Sequence, residues 1–240
     1  MRDAEKIEKP SFSYLGASPD IDVKREKIEH RVELRGLHAS IVVTVKDRNN
    51  RVVERKEVPA NSFVLNFMRI LYSVLTGKEY TVVDVNGNTV TTKLTMVKSE
   101  ERWTVEGHEF ERTREIGGFH AWALKEDDSH GIVIGSGTKT VEANDYSLES
   151  KIPHGYGSGQ MVYLSSEVGK VEVVGNEARL TIRRTFINHS GAPITVNEVG
   201  LVVKQPSPSA YVLVLRDLIQ GTEVPEDYSL DIQYTFVVTA

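Results

Sequence analysis

The stretch VEVVGNEARLTIRRTFIN, residues 171–188, indicates what class of structure to expect. Runs rich in valine, isoleucine and threonine lie on both sides of Gly175-Asn176. A two-residue hairpin turn needs backbone angles that glycine and asparagine adopt easily, so this pair predicts a turn between two strands. We therefore expect an antiparallel β-hairpin here.

Similar runs extend along the rest of the chain. Residues 37–47 and 51–58 are joined by the turn-forming triplet RNN, and residues 80–97 contain Asn86-Gly87, a second two-residue hairpin signal. Short valine-rich runs separated by turn residues are typical of antiparallel sandwiches and barrels, and they favour a mainly β, jelly-roll-like sandwich. The remaining strand-like runs are residues 102–107, 119–125, 131–137, 194–204, 210–219 and 230–238.

One α-helix is predicted, over residues 61–76. Asn61 or Ser62 is suited to cap its start by accepting a backbone N–H bond, and Gly77 is suited to end it in the left-handed conformation. Because strands and helices do not alternate, we expect no parallel sheet, and the helix should pack on an antiparallel one. The alternative is that its apolar stripe contacts a membrane or a partner. The stripe, at helical spacing, consists of Phe63, Phe67, Ile70, Leu71, Val74 and Leu75.

Residues 1–30 are a different kind of segment, with two prolines, many charges and few large apolar side chains. No amphipathic period runs through them, which predicts an extended N-terminal arm before a β-sandwich domain at residues 31–240. A terminus that contacts nothing is the alternative interpretation. The arm's candidate contacts with a neighbouring chain are Pro10, Phe12, Tyr14 and Leu15.

The composition of the 240-residue chain argues against several kinds of protein. There is no cysteine, which excludes disulfides, thiol catalysis and cysteine-ligated metals. The net charge of −5 argues against a general nucleic-acid binder, which has a basic surface. The N-terminus lacks the apolar core of a secretory signal, and the most apolar run, residues 63–75, is too short to span a bilayer. We therefore expect synthesis in the cytoplasm and no membrane partner. Abundant Glu, Lys and Arg without Cys suit a thermophilic source.

The stretch GIVIGSGTKT, residues 131–140, looks like a phosphate-binding loop but fails its spacing. A P-loop places its second glycine at the sixth position, directly before Lys-Ser/Thr, whereas here Ser136 is sixth and Thr138 precedes Lys139. The dinucleotide motif would need a third glycine where Thr140 stands, and no long helix follows. We expect no nucleotide cofactor and interpret the glycines as a strand end and a turn.

Motifs for metals and nucleophiles are weak. The seven histidines are scattered, and no HExxH motif occurs. The densest set of ligand atoms is Glu-Asp-Asp-Ser-His at residues 126–130, which lacks the glycine and distal Glu of an EF-hand. We interpret it as a solvated loop, with a surface Ca²⁺ site as the alternative. Ser158 is one place late for a G-x-S-x-G nucleophile elbow and lies in a glycine-rich loop. We predict no catalytic residue and no bound metal.

Several blocks resemble structural proteins of tailed bacterial and archaeal viruses, over roughly residues 60–240. Residues 183–204 are similar to the family's Thr-Phe-x-Asn-x-Ser-Gly-x-x-Ile-Thr-Val-x-Glu-Val-Gly-Leu strand pair. Residues 212–219 resemble its Leu-x-x-Arg-Asp strand, and residues 61–67 its Asn-Ser-Phe-Val-x-Asn-Phe helix. In residues 131–163 a strand ending in Val/Ile-Gly-x-Gly-Thr leads to Asp-Tyr-x-Leu-Glu and then Ile-x-His-Gly. Those features fall at Gly135, Gly137, Thr138, Asp145, Tyr146, Leu148, Glu149, Ile152, His154 and Gly155.

The resemblance implies a virion component without catalytic residues. Its partners would be its own copies and other virion proteins, associated through exposed strand edges and the arm and repeated by symmetry in a ring or tube. Arg216 lies in an otherwise apolar strand, where a buried charge needs a partner. We expect it to pair with Glu198 or Glu149 and so fix the strand register. The alternative is a charge pair at a strand end that faces water.

Two other classes of function stay open. The first is a tail-tip module that binds a receptor or a host-surface glycan, in which Trp103, Trp122 and Tyr156 would form a sugar-stacking platform. Such aromatic residues more often belong to the core of a β-sandwich. The second is a virion polysaccharide hydrolase, which would need a pocket with convergent carboxylates.

Overall fold

The structure is a computed structural model that describes residues 36–60, 62–92, 97–105, 108–116, 118–206 and 209–239. These residues belong to one compact unit made mainly of antiparallel β-sheets that share a core. The prediction of a mainly β fold with a single helix is confirmed for this part of the chain. Its elements, in order, are β1 (Gly36–Lys46), β2 (Val52–Pro59), α1 (Leu65–Thr76), β3 (Tyr80–Val83), β4 (Thr89–Thr92), β5 (Val97–Val105), β6 (His108–Ile116), β7 (Gly131–Gly135), β8 (Val162–Tyr163), β9 (Glu167–Val168), β10 (Glu172–Val174), β11 (Glu177–Ile187), β12 (Ile194–Pro206), β13 (Ser209–Val224) and β14 (Ser229–Thr239).

The larger sheet has the strand order β10-β11-β14-β1-β2, with the short strands β8 and β9 also paired to β11. The smaller sheet has the order β13-β12-β7. After β11 the chain therefore leaves the larger sheet and forms the long hairpin β12–β13 in the smaller sheet. It then returns to the larger sheet as β14, beside β11. β3 and β4 form a separate hairpin, as do β5 and β6.

The core lies where the two sheets face each other. Strand side chains alternate between the two faces of a sheet, and in β1 the inward set includes Ile41 and Val43, both fully buried. They belong to the same buried cluster as Tyr234 of β14, Val199 of β12 and Leu213 of β13. One apolar core thus joins the first strand to the last.

The predicted turns have mixed outcomes. The turn at Gly175-Asn176 is confirmed, because Val174 pairs with Glu177 and Gly175 has φ of 64°. The hairpin at Asn86-Gly87 is also present, but its loop is wider than the predicted two residues. The carboxylate of Asp84 accepts hydrogen bonds from the backbone amides of Asn86 and Asn88, which stabilises the wider loop.

The start of α1 differs from the prediction. Asn61 lies outside the described residues, and Ser62 is not the cap, because the helix begins at Leu65 after Val64 without a side-chain cap. The segment before it is extended along β13, where Arg216 donates its amide to the Ser62 carbonyl at 3.2 Å. Because Ser62 and Val64 form backbone hydrogen bonds with β13, the helix begins only at Leu65. Its end at Gly77, with φ of 65°, is as predicted.

The apolar stripe predicted for α1 is only partly correct. Phe63, Phe67 and Ile70 pack against the core, but Leu71, Val74 and Leu75 are exposed. The buried side chains of α1 are instead the polar Asn66 and Ser73. The helix therefore shows much of its apolar surface to solvent.

One predicted strand is also missing. Residues 119–125 make a single bridge, between His120 and Lys204, and otherwise run as an irregular segment. The carbonyls of Trp122 and Leu124 accept hydrogen bonds from the side chains of His130 and Arg184, so they are satisfied without a strand ladder.

Candidate functional site

The predicted assembly residue Glu198, on β12, is fully buried and receives four hydrogen bonds. Its Oε1 accepts from the backbone amides of Gly137 at 3.1 Å and Ser150 at 2.8 Å. Its Oε2 accepts from the Glu149 amide at 3.1 Å and from the Arg216 Nε at 2.8 Å. Because every partner is a donor, these hydrogen bonds offset the cost of removing the carboxylate from water.

Arg216, on β13, is equally buried and completes the network. Besides Glu198, it donates from Nη1 to Asp145 Oδ2 at 2.7 Å and from Nη2 to the Lys139 carbonyl at 3.1 Å. Burial lowers the pKa of Arg216, but hydrogen bonds to Glu198 and Asp145 outweigh that effect and hold the pKa above its usual value. Of the two carboxylates considered for Arg216, the structure places Glu198 against it, and the pair fastens the loop of residues 136–150 to the β12–β13 hairpin.

Glu149 has a different position. Its carboxylate accepts the backbone amides of Thr138 and Lys139, both at 2.6 Å. The hydrogen bond from Lys139 is the largest of the effects that lower the pKa of Glu149. Together, Glu149 and Glu198 occupy three successive amides of the loop, at residues 137–139.

This arrangement explains the glycines of GIVIGSGTKT. A Cβ on Gly135 or on Gly137 would lie 2.5 Å from Glu198 Oε1, which is too close for any side chain there. The backbone amides that would cradle a phosphate in a P-loop bind two carboxylates of the same chain instead. The amides of residues 137–139 thus bind carboxylates of the same chain at the place where a P-loop would bind phosphate.

A second buried cation, Arg184 on β11, was not predicted. It is 1% exposed and donates to five backbone carbonyls of the neighbouring loops, and its guanidinium lies 4.8 Å from the centre of the Tyr163 ring. Burial lowers the pKa of Arg184. Arg183 and Arg184 are adjacent in the sequence, and this pattern does not indicate which of the two side chains is buried. The acceptor carbonyls are those of Leu124, Asp127, His130, Ile132 and Leu164.

Two histidines meet beside this buried arginine. The ring centres of His120 and His130 are 5.2 Å apart, and Trp122 stacks on His120 at 4.9 Å. His130 Nδ1 lies 3.3 Å from Asp127 Oδ2, and its Nε2 lies 2.8 Å from the Trp122 carbonyl. Burial lowers the pKa of both histidines, so they are neutral at neutral pH.

Residues 126–130, interpreted as a solvated loop with a surface Ca²⁺ site as the alternative, have carboxylates that bind different partners. Asp127 bonds Ser129 and His130, whereas Asp128 bonds Lys151 and the His154 amide. Within the described residues, the grouping that brings three such ligand atoms together is His189, Glu226 and Asp227, within 4.8 Å of one another. Arg48 already balances the Asp227 carboxylate there, at 2.8 Å.

The aromatic residues considered for sugar binding lie against different neighbours. Trp122 is 53% exposed on His120, and Tyr156 is 60% exposed on His189, with parallel rings 6.4 Å apart. The side chain of Trp103 is outside the described part of the chain. Ser158 lies in a turn of the glycine-rich loop, as the sequence indicated.

The four arm residues predicted to contact a partner, Pro10, Phe12, Tyr14 and Leu15, lie outside the described residues. No helix in the described part of the chain is long and apolar enough to span a membrane. Comparison of the chain with protein-family models, with curated proteins and with solved structures finds no match.

Proposed function

We propose that the protein is a non-enzymatic structural component of a tailed virus particle that works by associating with its own copies and with other virion proteins. The resemblance of residues 60–240 to such proteins supports this. The buried ionic network supports it too, because Glu198 and Arg216 form hydrogen bonds that hold a loop against two strands. They have no free group with which to attack or protonate a substrate.

The observation that carries the proposal is the apolar edge of the larger sheet at β10. Val173 is 74% exposed and Val174 is 56% exposed, and Val171 just before the strand is 67% exposed. Among the described strands, β10 pairs on one side only, with β11. An exposed apolar edge is a template for a strand from another chain.

The opposite edge of the same sheet is different. β2 begins with the exposed Val52 and Val53 but then carries four charged residues in succession, Glu54, Arg55, Lys56 and Glu57. Charged side chains on an edge strand discourage pairing with other chains. The contrast directs association to the β10 edge.

The added strand in this proposal comes from the N-terminal arm, residues 1–30, of a neighbouring copy. Strand addition uses main-chain hydrogen bonds for affinity and alternate side chains for specificity. Phe12, Tyr14 and Leu15 would supply the apolar side chains for this purpose, and Pro10 has no backbone N–H to donate to a ladder. Repetition from copy to copy gives a ring or a tube.

The proposal is tested by mass photometry and negative-stain microscopy of four proteins: the full chain, a variant lacking residues 1–30, Val173→Lys, and Val53→Lys. Val53 is 54% exposed on the charged edge strand and is the matched control. We expect discrete oligomers, rings or tubes for the full chain and for Val53→Lys. We expect smaller species for the truncated chain and for Val173→Lys.

The proposal is overturned if the full chain stays monomeric at all concentrations. It is also overturned if the truncated chain and Val173→Lys assemble as the full chain does. In the monomeric case, the exposed Trp122 makes a glycan array the next measurement, because a stacked, solvent-facing indole is suited to contact a sugar ring.

A further inference from the structure

The outer face of α1 is a continuous apolar surface. Successive helix residues are about 100° apart, so residues spaced three and four apart share a face. On α1 the exposed apolar residues fall in one half of the circumference, and the buried Asn66 and Ser73 fall in the other half. The exposed set, called here the α1 face, is Leu65 (44% exposed), Met68 (56%), Leu71 (36%), Tyr72 (47%), Val74 (53%) and Leu75 (75%).

The polar contacts on the inner side fix this orientation. Asn66 Nδ2 donates to the Val83 carbonyl at 2.8 Å, and Asn66 Oδ1 accepts the Val83 amide at 3.2 Å. Ser73 Oγ donates to the Lys78 carbonyl at 2.9 Å. Rotating the helix to bury the α1 face would break the two hydrogen bonds to Val83 and leave buried polar groups without partners.

The α1 face is large for a surface that contacts only water. Six side chains of this size, each about half exposed, present on the order of 500 Å² of apolar area, near the upper end for the largest patch on a typical monomer. None of the six is charged. The largest apolar patch on a monomer is often a functional one.

We propose that the α1 face docks against the α1 face of a second copy of the chain, across a two-fold axis. This deepens the proposed function, and rests on it in assuming self-association. An uncharged apolar face is complementary to itself, and two such faces bury about 1,000 Å² together, which is the lower limit for a biological interface. A two-fold contact closes on itself.

The two helices are antiparallel in this pairing. α1 has no acidic residue in its first turn and no basic residue in its last turn, so its own side chains leave the helix dipole uncompensated. An antiparallel neighbour places the negative end of one helix beside the positive end of the other. The two-fold axis then passes near Leu71, close to the middle of the α1 face, and Met68 lies opposite Val74 of the other copy.

Single cysteines test this geometry directly, because the chain has no cysteine of its own. At 1.5 Å per residue, two copies of position 71 lie nearly opposite each other, whereas two copies of position 75 are about 12 Å apart along the axis. A disulfide needs Cα atoms within about 7 Å. Under mild oxidation at low concentration, we expect Leu71→Cys to form a covalent dimer and Leu75→Cys to stay uncrosslinked.

Random collision predicts the opposite order, because Leu75 is the more exposed of the two positions. Equal cross-linking, or more at position 75, therefore overturns the antiparallel pairing. A second measurement is sedimentation velocity of Met68→Glu, in which a carboxylate enters the α1 face. We expect its dissociation constant for this contact to rise at least about tenfold, and that of Met68→Leu to stay unchanged.

The two surfaces have separable outcomes. If Met68→Glu and Leu71→Cys behave as expected while Val173→Lys and removal of residues 1–30 change nothing, the helix pairing stands and the strand-edge assembly fails. If the strand-edge variants act as expected but Met68→Glu sediments like the unchanged protein, the helix pairing is wrong.

Discussion

Arg216 and Glu198 show how a buried charge can serve structure alone. Glu198 accepts four hydrogen bonds and the Arg216 side chain donates three, and the pair joins β12, β13 and the loop of residues 136–150. Removal of the cation would leave the Glu198 carboxylate in the interior with only backbone amides to balance its charge. Breaking a buried pair in this way is far more costly than breaking a pair at the surface.

We predict that Arg216→Ala lowers the free energy of unfolding by about 3–5 kcal/mol, the range for a buried pair with one partner removed. Arg48→Ala is the matched control, because Arg48 pairs with Asp227 at the surface with its side chain 65% exposed. That pair is worth about 0–1 kcal/mol. Urea denaturation measures both. If the two variants unfold at the same urea concentration, Arg216 does not fix the structure.

At this scale the sequence supported part of the network. An arginine in an apolar strand needs a partner, and Glu198 is nearby in the sequence on what proved to be the paired strand. The contacts with Gly137, Asp145 and Ser150 were beyond prediction, because they join positions tens of residues apart. The inward direction of Arg184 was equally hidden, since its partners are backbone carbonyls, which every residue type supplies.

At the scale of elements, α1 shows that an apolar pattern does not by itself say which side of a helix is buried. Sequence reasoning located the helix and its end at Gly77, and it placed the hairpins that turn at residues 48–50, 86–87 and 175–176. It did not predict β6 or the β5–β6 hairpin. It missed the buried polar side, because the Val83 groups that Asn66 binds become available only when β3 lies beside the helix. Apolar residues on both sides gave one wide stripe, half of which is exposed.

We predict that Asn66→Leu destabilises the protein, although it would extend the apolar stripe. The substitution leaves the amide and carbonyl of Val83 without their side-chain partners, at a cost of about 1–3 kcal/mol for each buried group. Met68→Leu, on the exposed side of the same helix, should change stability by less than about 0.5 kcal/mol. Thermal unfolding followed by circular dichroism compares them. A rise in melting temperature for Asn66→Leu would show that the helix is oriented the other way.

At the scale of the whole molecule, the free energy of unfolding should fall in two stages as the pH is lowered. His120 and His130 have pKa values lowered by burial. The unfolded chain therefore binds protons more readily near the ordinary histidine pKa of about 6.5, and stability falls as the pH drops below that value.

Asp231 contributes the second stage. Burial opposes its ionisation, but hydrogen bonds from Lys46, Thr185 and Arg183 outweigh this and lower its pKa. Its contribution is present above the ordinary aspartate pKa of about 4 and is lost as the pH falls through the lower, folded value.

Urea midpoints measured at intervals between pH 8 and pH 3 should show both stages. His130→Gln removes one titrating group and should flatten the curve between about pH 7 and 5, where a histidine near its ordinary pKa titrates. Asp231→Asn should leave that stage intact and weaken the dependence below about pH 4. His189→Gln is the control, because His189 is a half-exposed surface residue beside Asp227. If His189→Gln flattens the upper stage as much as His130→Gln does, the buried histidine pair is not its source. The acid sensitivity would then belong to the loops at the surface.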